Sequence, residues 1–526
     1  MKLQDLLQGL EITAASADMA TDVSGVSYDS RTVKPGEVFT ALSGYAADGH
    51  RFIPQALERG AGVIICQKPP EQWGMSGEIP PYVQVADSRR ALAVIGANFF
   101  DHPADHMTMI GITGTNGKTS STYLLKAVLE HRPGVKVGLI GTNQNMIGAE
   151  ILPTERTTPE SFELQGLFAR MYREGCTHVV MEVSSHALYL DRVYGVNYET
   201  AVFTNLTQDH LDFHHTMEEY CDAKSILFRQ CAKGVVNADD PWTARLVKDA
   251  SCTLFTYGAA FPGHHAEAET HSGIQDAPLF PGYVETRSVP DLSASVPVPD
   301  LSAQDIELTA DHIAFTAVTK NACVPVQVNI PGAFMVYNTL DVLAAALTLG
   351  IPLEESAEVL RTVPHVKGRV EVVPTPGTDY TVLIDYAHSP DGLENVLKSV
   401  KGFAKGRTVA LFGCGGDRDK TKRPKMGKIA ADIADFVIVT TDNPRTENPA
   451  DIIKDILPGL EGTSTPYVTV ENRVEAIHYA LDHARSGDVI VLCGKGHETY
   501  QEIGHVKYHM DEREIVADYF KKGERA

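Results

Sequence analysis

The sequence lacks the features that would place a protein on nucleic acid, in a membrane or in an oxidising compartment. Basic residues are in deficit: Lys and Arg number 46 against 68 Asp and Glu, a formal net charge of -22. Broad binding to a polyanion needs a basic surface, so that class is excluded, while a local basic pocket for a phosphorylated ligand is not. No uninterrupted apolar run is long enough to cross a bilayer. Residues 1–10 mix acidic and polar side chains and show no secretory signal pattern. The eight cysteines (Cys66, Cys176, Cys221, Cys231, Cys252, Cys323, Cys414 and Cys493) include no Cys-x-x-Cys and no His/Cys cluster of zinc-finger spacing. Reduced thiols in a cytoplasmic protein are the simplest reading.

What is present is length and alternation. A chain of 526 residues has room for several buried cores. Three regions, 1–102, 103–366 and 367–526, each mix strand-like and helix-like patterns. The first has apolar runs at Val38–Leu42 and Gly62–Cys66 and a helical pattern over Ser88–Phe100. The second opens with a strand at Met107–Ile112, a glycine-rich turn, and a helix burying Leu124, Leu125, Val128 and Leu129. Further strands are expected at His178–Met181 and Thr200–Phe203. In the third, Thr381–Ile384, Val409–Phe412, Phe436–Val439 and Val489–Leu492 each run into a polar or glycine-rich turn. This alternation predicts an α/β fold of three domains. The central one is a P-loop domain with a mostly parallel sheet, and the C-terminal one is Rossmann-like. Ligands of open parallel sheets sit at the carboxyl ends of strands, so the residues after these runs carry the interest. The Pro-, Ser-, Asp- and His-rich stretch 261–304 reads as a surface insertion with strands on either side.

Gly114-Thr115-Asn116-Gly117-Lys118-Thr119-Ser120 lies between the strand and the helix. Glycines let backbone N–H groups wrap a phosphate, and the helix N-terminus adds a favourable field. Lys118 would meet the outer phosphates and the Thr119 hydroxyl a magnesium ion. Ile112 stands where the strict motif has its first glycine. By itself the loop indicates only a nucleoside triphosphate.

The Gly-Thr-Asn-Gly-Lys-Thr variant resembles the loop of the Mur ligases and their folylpolyglutamate synthetase relatives. The resemblance continues through Met181-Glu182-Val-Ser-Ser-His186, Thr204-Asn205-Leu-Thr-Gln-Asp209-His210-Leu-Asp212 and Gly368-Arg369-Val-Glu371. It runs on through Asp385-Tyr-Ala-His388-Ser-Pro390, Gly413-Cys-Gly-Gly-Asp417-Arg418-Asp419-Lys420, Asp442-Asn443-Pro444-Arg445 and Gly494-Lys495-Gly496-His497-Glu498. These motifs stand in family order across nearly the whole chain, the insertion excepted. Within the family they are most similar to the branch that adds the third amino acid to a UDP-N-acetylmuramoyl-dipeptide.

The resemblance implies phosphorylation of a substrate carboxylate by ATP, attack of an amine on the acyl phosphate, and loss of phosphate. It implies Mg2+ as cofactor and ATP as cosubstrate, with Thr119, Glu182, His210 and Lys224 on the metal side and Lys118 on the phosphates. Lys224 follows the capping pattern Thr216-Met-Glu-Glu219, so it should lie on a helix, where alone it would read as a solvated lysine. In the family the matching lysine is carbamylated by CO2. Arg369 is implied as a phosphate contact, Asp385 as a ribose contact and Asn338 as an adenine contact. Met335 stands where the family often has a second Asn.

The same resemblance assigns UDP-N-acetylmuramoyl-L-Ala-D-Glu to Tyr28, Ser30, Tyr45, Ala46 and Ala47 in the first region and to Thr157, Thr158, Ser184 and Arg192 in the second. Arg156 and Leu190 depart from the Asn and Gln associated with the family. The incoming amino acid would meet Arg418, Asp442, Asn443, Pro444, Arg445, Gly494 and Glu498. The Asp-Asn-Pro-Arg form is the one associated with meso-diaminopimelate, whose distal carboxylate suits the fork of Arg445. Lysine has no such group. The alternatives are a lysine-adding ligase of the family, a folylpolyglutamate-type synthetase, and a regulatory homologue that binds nucleotide without catalysis. A cytoplasmic monomer is expected, with no nucleic-acid partner and no membrane span.

Overall fold

A computed structural model describes residues 1–44, 48–75, 78–154, 156–259, 299–309 and 312–523. Each of the three regions builds a sheet of its own. The first has five strands, in the order Ile12–Ala15, Tyr82–Val85, Val63–Cys66, Val38–Thr40 and Val26–Ser27. All neighbours are parallel except the first pair. The helix Ser88–Phe99 starts where Asp87 accepts hydrogen bonds from the N–H groups of Arg89 and Arg90, and it buries Leu92 and Ile95 against this sheet.

The central sheet has eleven strands. From Leu301–Leu308, through Thr253–Ala259, Cys231–Asn237, Tyr198–Phe203, Thr108–Thr113 and His178–Glu182, to Val137–Ile140, every neighbour is parallel. Antiparallel strands extend both edges. The middle strands are buried on both faces, as expected of a parallel sheet covered by helices. One covering layer joins the helix Lys118–Glu130 to the helix Phe334–Thr348 through Leu124, Leu125, Val128, Leu340 and Leu343. Strands stand on either side of the insertion, Thr253–Ala259 before it and Leu301–Leu308 after it, paired in parallel, but the second begins at Leu301, inside the stretch expected as insertion. Residues 260–298 lie outside the described residues.

The third sheet has six strands, with Val489–Cys493 between Thr381–Asp385 and Thr408–Phe412. The carboxyl ends of these three strands form the crevice that a Rossmann-like fold offers to ligands. A separate two-stranded hairpin, Tyr500–Ile503 with Val506–His509, stands beside it. Among the described residues no helix is long and apolar enough to cross a membrane.

Candidate active site

The phosphate loop is laced to the segment Thr204–Thr207. Thr115 N–H donates to the Asn205 carbonyl at 2.8 Å, and Asn116 N–H to Asn205 Oδ1 at 3.0 Å. Thr204 Oγ1 donates to the Asn116 carbonyl at 2.6 Å. Gly117 caps the helix at φ +89°, where a side chain is strained, and a Cβ there would sit 2.4 Å from Asn338 Oδ1. Asn338 thus lies against the loop, buried, with its amide turned to the Met335 sulfur at 3.6 Å. Met335, where an Asn was the family expectation, fills core space and accepts that contact. Lys118 Nζ donates to the loop's own carbonyls, Gly114 at 3.0 Å and Thr115 at 2.8 Å. Burial holds its ammonium below the usual lysine range.

Glu182 ends its strand fully buried. Its Oε1 accepts from Thr119 Oγ1 and from Thr142 N–H, both at 2.9 Å, and its Oε2 accepts from Thr142 Oγ1 at 2.9 Å. These donors are all neutral. A buried carboxylate beside a threonine hydroxyl is a hard-oxygen set that suits magnesium. His210, at φ +54°, is not part of this pair: its ring lies edge-on to His186 at 4.8 Å and faces Tyr220 at 6.0 Å. Among the described residues no group of three or more His, Cys, Asp or Glu converges on one metal position.

Lys224 does lie on a helix, Met217–Ser225, capped as the pattern required by Thr216 Oγ1 accepting from Glu219 N–H at 3.1 Å. It is not a solvated lysine. It is 1% exposed, donates to the Gly114 carbonyl at 2.8 Å, and lies 4.5 Å from the Tyr220 ring centre. Burial first, then the charge of Lys118, pushes its ammonium well below the usual lysine range.

The third domain closes on this loop. Arg369 Nη2 donates to Thr119 Oγ1 at 3.1 Å while its guanidinium lies 4.8 Å over the Tyr386 ring. Asp391 Oδ2 accepts from Thr207 Oγ1 at 2.8 Å and from Asn116 Nδ2. Asn143 Nδ2 donates to the Lys367 carbonyl at 2.9 Å. Asp385 is held at the strand end by the N–H groups of Val370 and Ala387, both at 2.8 Å. Burial raises its pKa and Arg369 opposes that rise.

Thr157, Thr158, Ser184 and Arg192 gather around Glu182. Thr158 Oγ1 donates to the Glu182 carbonyl at 2.9 Å and accepts from Ser184 N–H at 3.2 Å. Arg192 Nη1 donates to the Thr158 carbonyl at 3.2 Å, and Thr157 Oγ1 meets Thr142 Oγ1 at 2.9 Å. In the first domain Tyr28 donates to Glu163 Oε1 at 2.5 Å, tying that domain to the central one, and Ser30 donates to Gln55 at 2.7 Å. Tyr45, Ala46 and Ala47 lie outside the described residues.

The third-domain motifs also converge. Asn443 Nδ2 donates to Glu498 Oε2 at 2.9 Å. Lys495, fully buried, donates to Asn443 Oδ1 and to Glu498 Oε2, both at 2.7 Å. Gly494, at φ +110°, lets the chain pass Asp442: a Cβ there would sit 2.5 Å from Asp442 Oδ2. The carbonyl of Pro444 packs on Gly416. Arg418 is exposed and bonds to the Asp417 carbonyl at 3.0 Å. Arg445 is not an unpaired guanidinium awaiting a ligand, because Glu502 Oε2 accepts from its Nε at 2.9 Å. Lys495 stood inside a quoted motif without a role. Glu502, Thr142 and Asp391 gave no signal in the sequence, since each acts through a contact with a distant segment.

The His497 ring lies tilted against Tyr386 with centroids 4.9 Å apart, and burial together with Arg369 pushes its pKa down to about 3. Below the ordinary value of 6.5 the unfolded chain takes up this proton before the folded one. Stability from this group is therefore complete above pH 6.5 and is lost progressively towards pH 3. His497→Asn is expected to shallow the fall in urea midpoint between pH 7 and pH 5. A fall identical to wild type would show that His497 does not contribute.

A cavity of about 770 Å3 opens at the amino ends of the central strands, beside Thr108, His178, Tyr198 and Lys233. None of the candidate residues borders it, and the site is built instead at the carboxyl ends.

A phosphate loop, a buried Glu182 beside its threonine, and a closing domain with its own buried polar cluster define a nucleotide-driven ligase architecture, and the chain belongs to the Mur ligase family. Three family profiles match in order: "Mur ligase family, catalytic domain" over residues 22–100, "Mur ligase middle domain" over 112–280, and "Mur ligase, glutamate ligase domain" over 368–496. The UDP-N-acetylmuramoyl-L-alanyl-D-glutamate–2,6-diaminopimelate ligase 1 of Clostridium acetobutylicum is 44% identical over 525 residues, 99% of this chain and 100% of that protein. The ligase of the same name from Caldanaerobacter subterraneus is 44% identical, with 100% of both chains covered. A solved structure of a UDP-N-acetylmuramoyl-L-alanyl-D-glutamate–2,6-diaminopimelate ligase superimposes with a TM-score of 0.66 at 29% identity, covering 100% of each chain. The MurF ligase of Thermotoga maritima in complex with ADP shares the fold, with a TM-score of 0.60 at 18% identity over 96% of this chain and 99% of that one.

Proposed function

We propose that this protein joins meso-diaminopimelate to UDP-N-acetylmuramoyl-L-Ala-D-Glu at the expense of ATP, in cytoplasmic synthesis of peptidoglycan precursor. What supports the reading is the pairing of a phosphate loop with the buried polar cluster of Asp442, Asn443, Lys495 and Glu498 in the third domain. Relatives bearing that named activity match over the full chain.

A free carboxylate is a poor electrophile. Transfer of the γ-phosphoryl group breaks its bond to ADP and forms a bond to the D-Glu carboxylate, which creates a leaving group. The neutral amine then adds to the carbonyl carbon, and the tetrahedral intermediate gives up a proton to solvent and expels phosphate to leave the amide. The protein's part is positioning and charge neutralisation. Lys118 exchanges its loop carbonyls for the outer phosphates, and Arg369 lies within reach of the same region. Bound magnesium would neutralise phosphate charge, held by Thr119 and Glu182 with support from His210 and a carbamylated Lys224. Burial disfavours the Lys224 ammonium and so favours the neutral amine, the form that reacts with CO2. Arg192, Thr157, Thr158 and Ser184 hold the dipeptide arm, while Tyr28 and Ser30 belong to the UDP side. Asn338 and Asp385 serve adenine and ribose. Arg445 and Glu498 take the distal carboxylate and ammonium of diaminopimelate.

Phosphate release with ATP, magnesium and the UDP-dipeptide should be strong with meso-diaminopimelate and weak with L-lysine. A preference for lysine would overturn the reading of Arg445. No turnover with either, in the presence of bicarbonate, would overturn the ligase reading.

A further inference from the structure

Glu502 lies in a hairpin that no motif marks, yet the hairpin is stitched to both ends of Asp442–Arg445. Gln501 Nε2 donates to the Asp442 carbonyl at 2.8 Å, and Glu502 N–H donates to Asn443 Oδ1 at 2.9 Å. Arg445 N–H donates to the Glu502 carbonyl at 3.1 Å, and Gly504 N–H donates to the Arg445 carbonyl at 2.7 Å. An isolated two-stranded hairpin is marginal in water, so these bonds fix it in place. They also hold Arg445 at φ +50°, a conformation that side chains other than glycine rarely adopt.

The guanidinium is fixed from the same side. Its Nε donates to Glu502 Oε2 at 2.9 Å and its Nη1 to the Gly416 carbonyl at 2.9 Å. Nη2 makes no hydrogen bond among the described residues. The side chain is 19% exposed, so it has little room to turn. A carboxylate on Nε fixes the plane of the fork, because charge-assisted bonds are short and directional. The arrangement leaves the outer edge of the guanidinium for a ligand and neutralises it while the pocket is empty.

We infer that Glu502 is a specificity-determining positioning residue: through its hairpin and its bond to Nε it presents Arg445 to the distal carboxylate of the incoming amino acid. The inference rests on the diaminopimelate reading of the pocket. Lysine lacks a distal carboxylate and gains nothing from an oriented Arg445. Loosening Glu502 therefore weakens diaminopimelate alone.

The test compares wild type with Glu502→Gln, Glu502→Asp and Glu502→Ala, measuring kcat and KM separately for diaminopimelate, lysine and ATP. Glu502→Ala is expected to raise KM for diaminopimelate about tenfold. KM for ATP and the low activity on lysine should not change, so the diaminopimelate-to-lysine ratio falls by a similar factor. Glu502→Asp should restore part of the loss. The near-isosteric Glu502→Gln keeps an acceptor for Nε and serves if the alanine variant does not fold. It should raise KM by a smaller factor in the same direction. An unchanged KM for diaminopimelate in both variants overturns the proposal. Parallel increases for ATP and diaminopimelate also overturn it, since they mark general disturbance of the domain. A wild-type enzyme without preference for diaminopimelate fails the pocket reading itself, and this inference falls with it.

Discussion

Lys224→Ala is expected to lower phosphate release about a thousandfold, the scale on which removing one preorganised charged group acts at a transition state. The lysine is buried beside the phosphate loop, with its ammonium disfavoured by burial and by Lys118. On the proposed reading the amine, once neutral, takes up CO2 and becomes an anion that would support a metal ion. Two further results should accompany the loss. Wild-type activity should fall when CO2 and bicarbonate are stripped from the buffer. The alanine variant should regain part of its activity with millimolar acetate, a carboxylate small enough for the space vacated. If Lys224 instead serves only by its hydrogen bond to the Gly114 carbonyl, neither effect will appear, and Lys224→Arg, which keeps a donor, will retain activity.

Gly117→Ala should act almost as strongly and by a different route. The residue sits at φ +89°, where a Cβ costs about 1–2 kcal/mol. That Cβ would also fall 2.4 Å from Asn338 Oδ1, so either the loop or the helix Phe334–Thr348 must shift. An ångström of displacement at a phosphate-binding loop costs on the order of a hundredfold in turnover. The prediction is an about hundredfold loss in kcat/KM for ATP, together with loss of the rise in Tm that ATP gives the wild type. A Gly117→Ala variant that keeps the wild-type kcat/KM for ATP and the ATP-dependent rise in Tm would overturn this reading.

Much of this architecture was legible in the residues. The strands at Thr108–Thr113, His178–Glu182, Thr381–Asp385 and Val489–Cys493 are apolar runs buried on both faces, and a buried parallel strand has few other ways to read. The capping pattern placed Lys224 on its helix. Its burial was not legible, because local spacing does not say which helix face meets the phosphate loop. The pairing of Arg445 with Glu502 was hidden for the same reason: the partners are separated by 57 positions and joined by a hairpin with no motif of its own. Asp391 is a comparable case. It follows Pro390 at the start of a helix and looks like an ordinary first-turn acid, yet it bridges to Asn116 and Thr207 in another domain.

The residues proposed to meet the incoming amino acid, Arg418, Asp442–Arg445, Gly494 and Glu498, follow strands of the six-stranded third sheet, which has apolar cores of its own. The phosphate loop and Glu182 lie at the carboxyl ends of neighbouring strands of the central sheet, which has its own apolar cores. Polar contacts such as Arg369 with Thr119 and Asp391 with Thr207 join the two halves. Because Arg369 and Asp385 share the third domain with the proposed amino-acid residues, any change of amino-acid preference in that domain has to leave its nucleotide side intact.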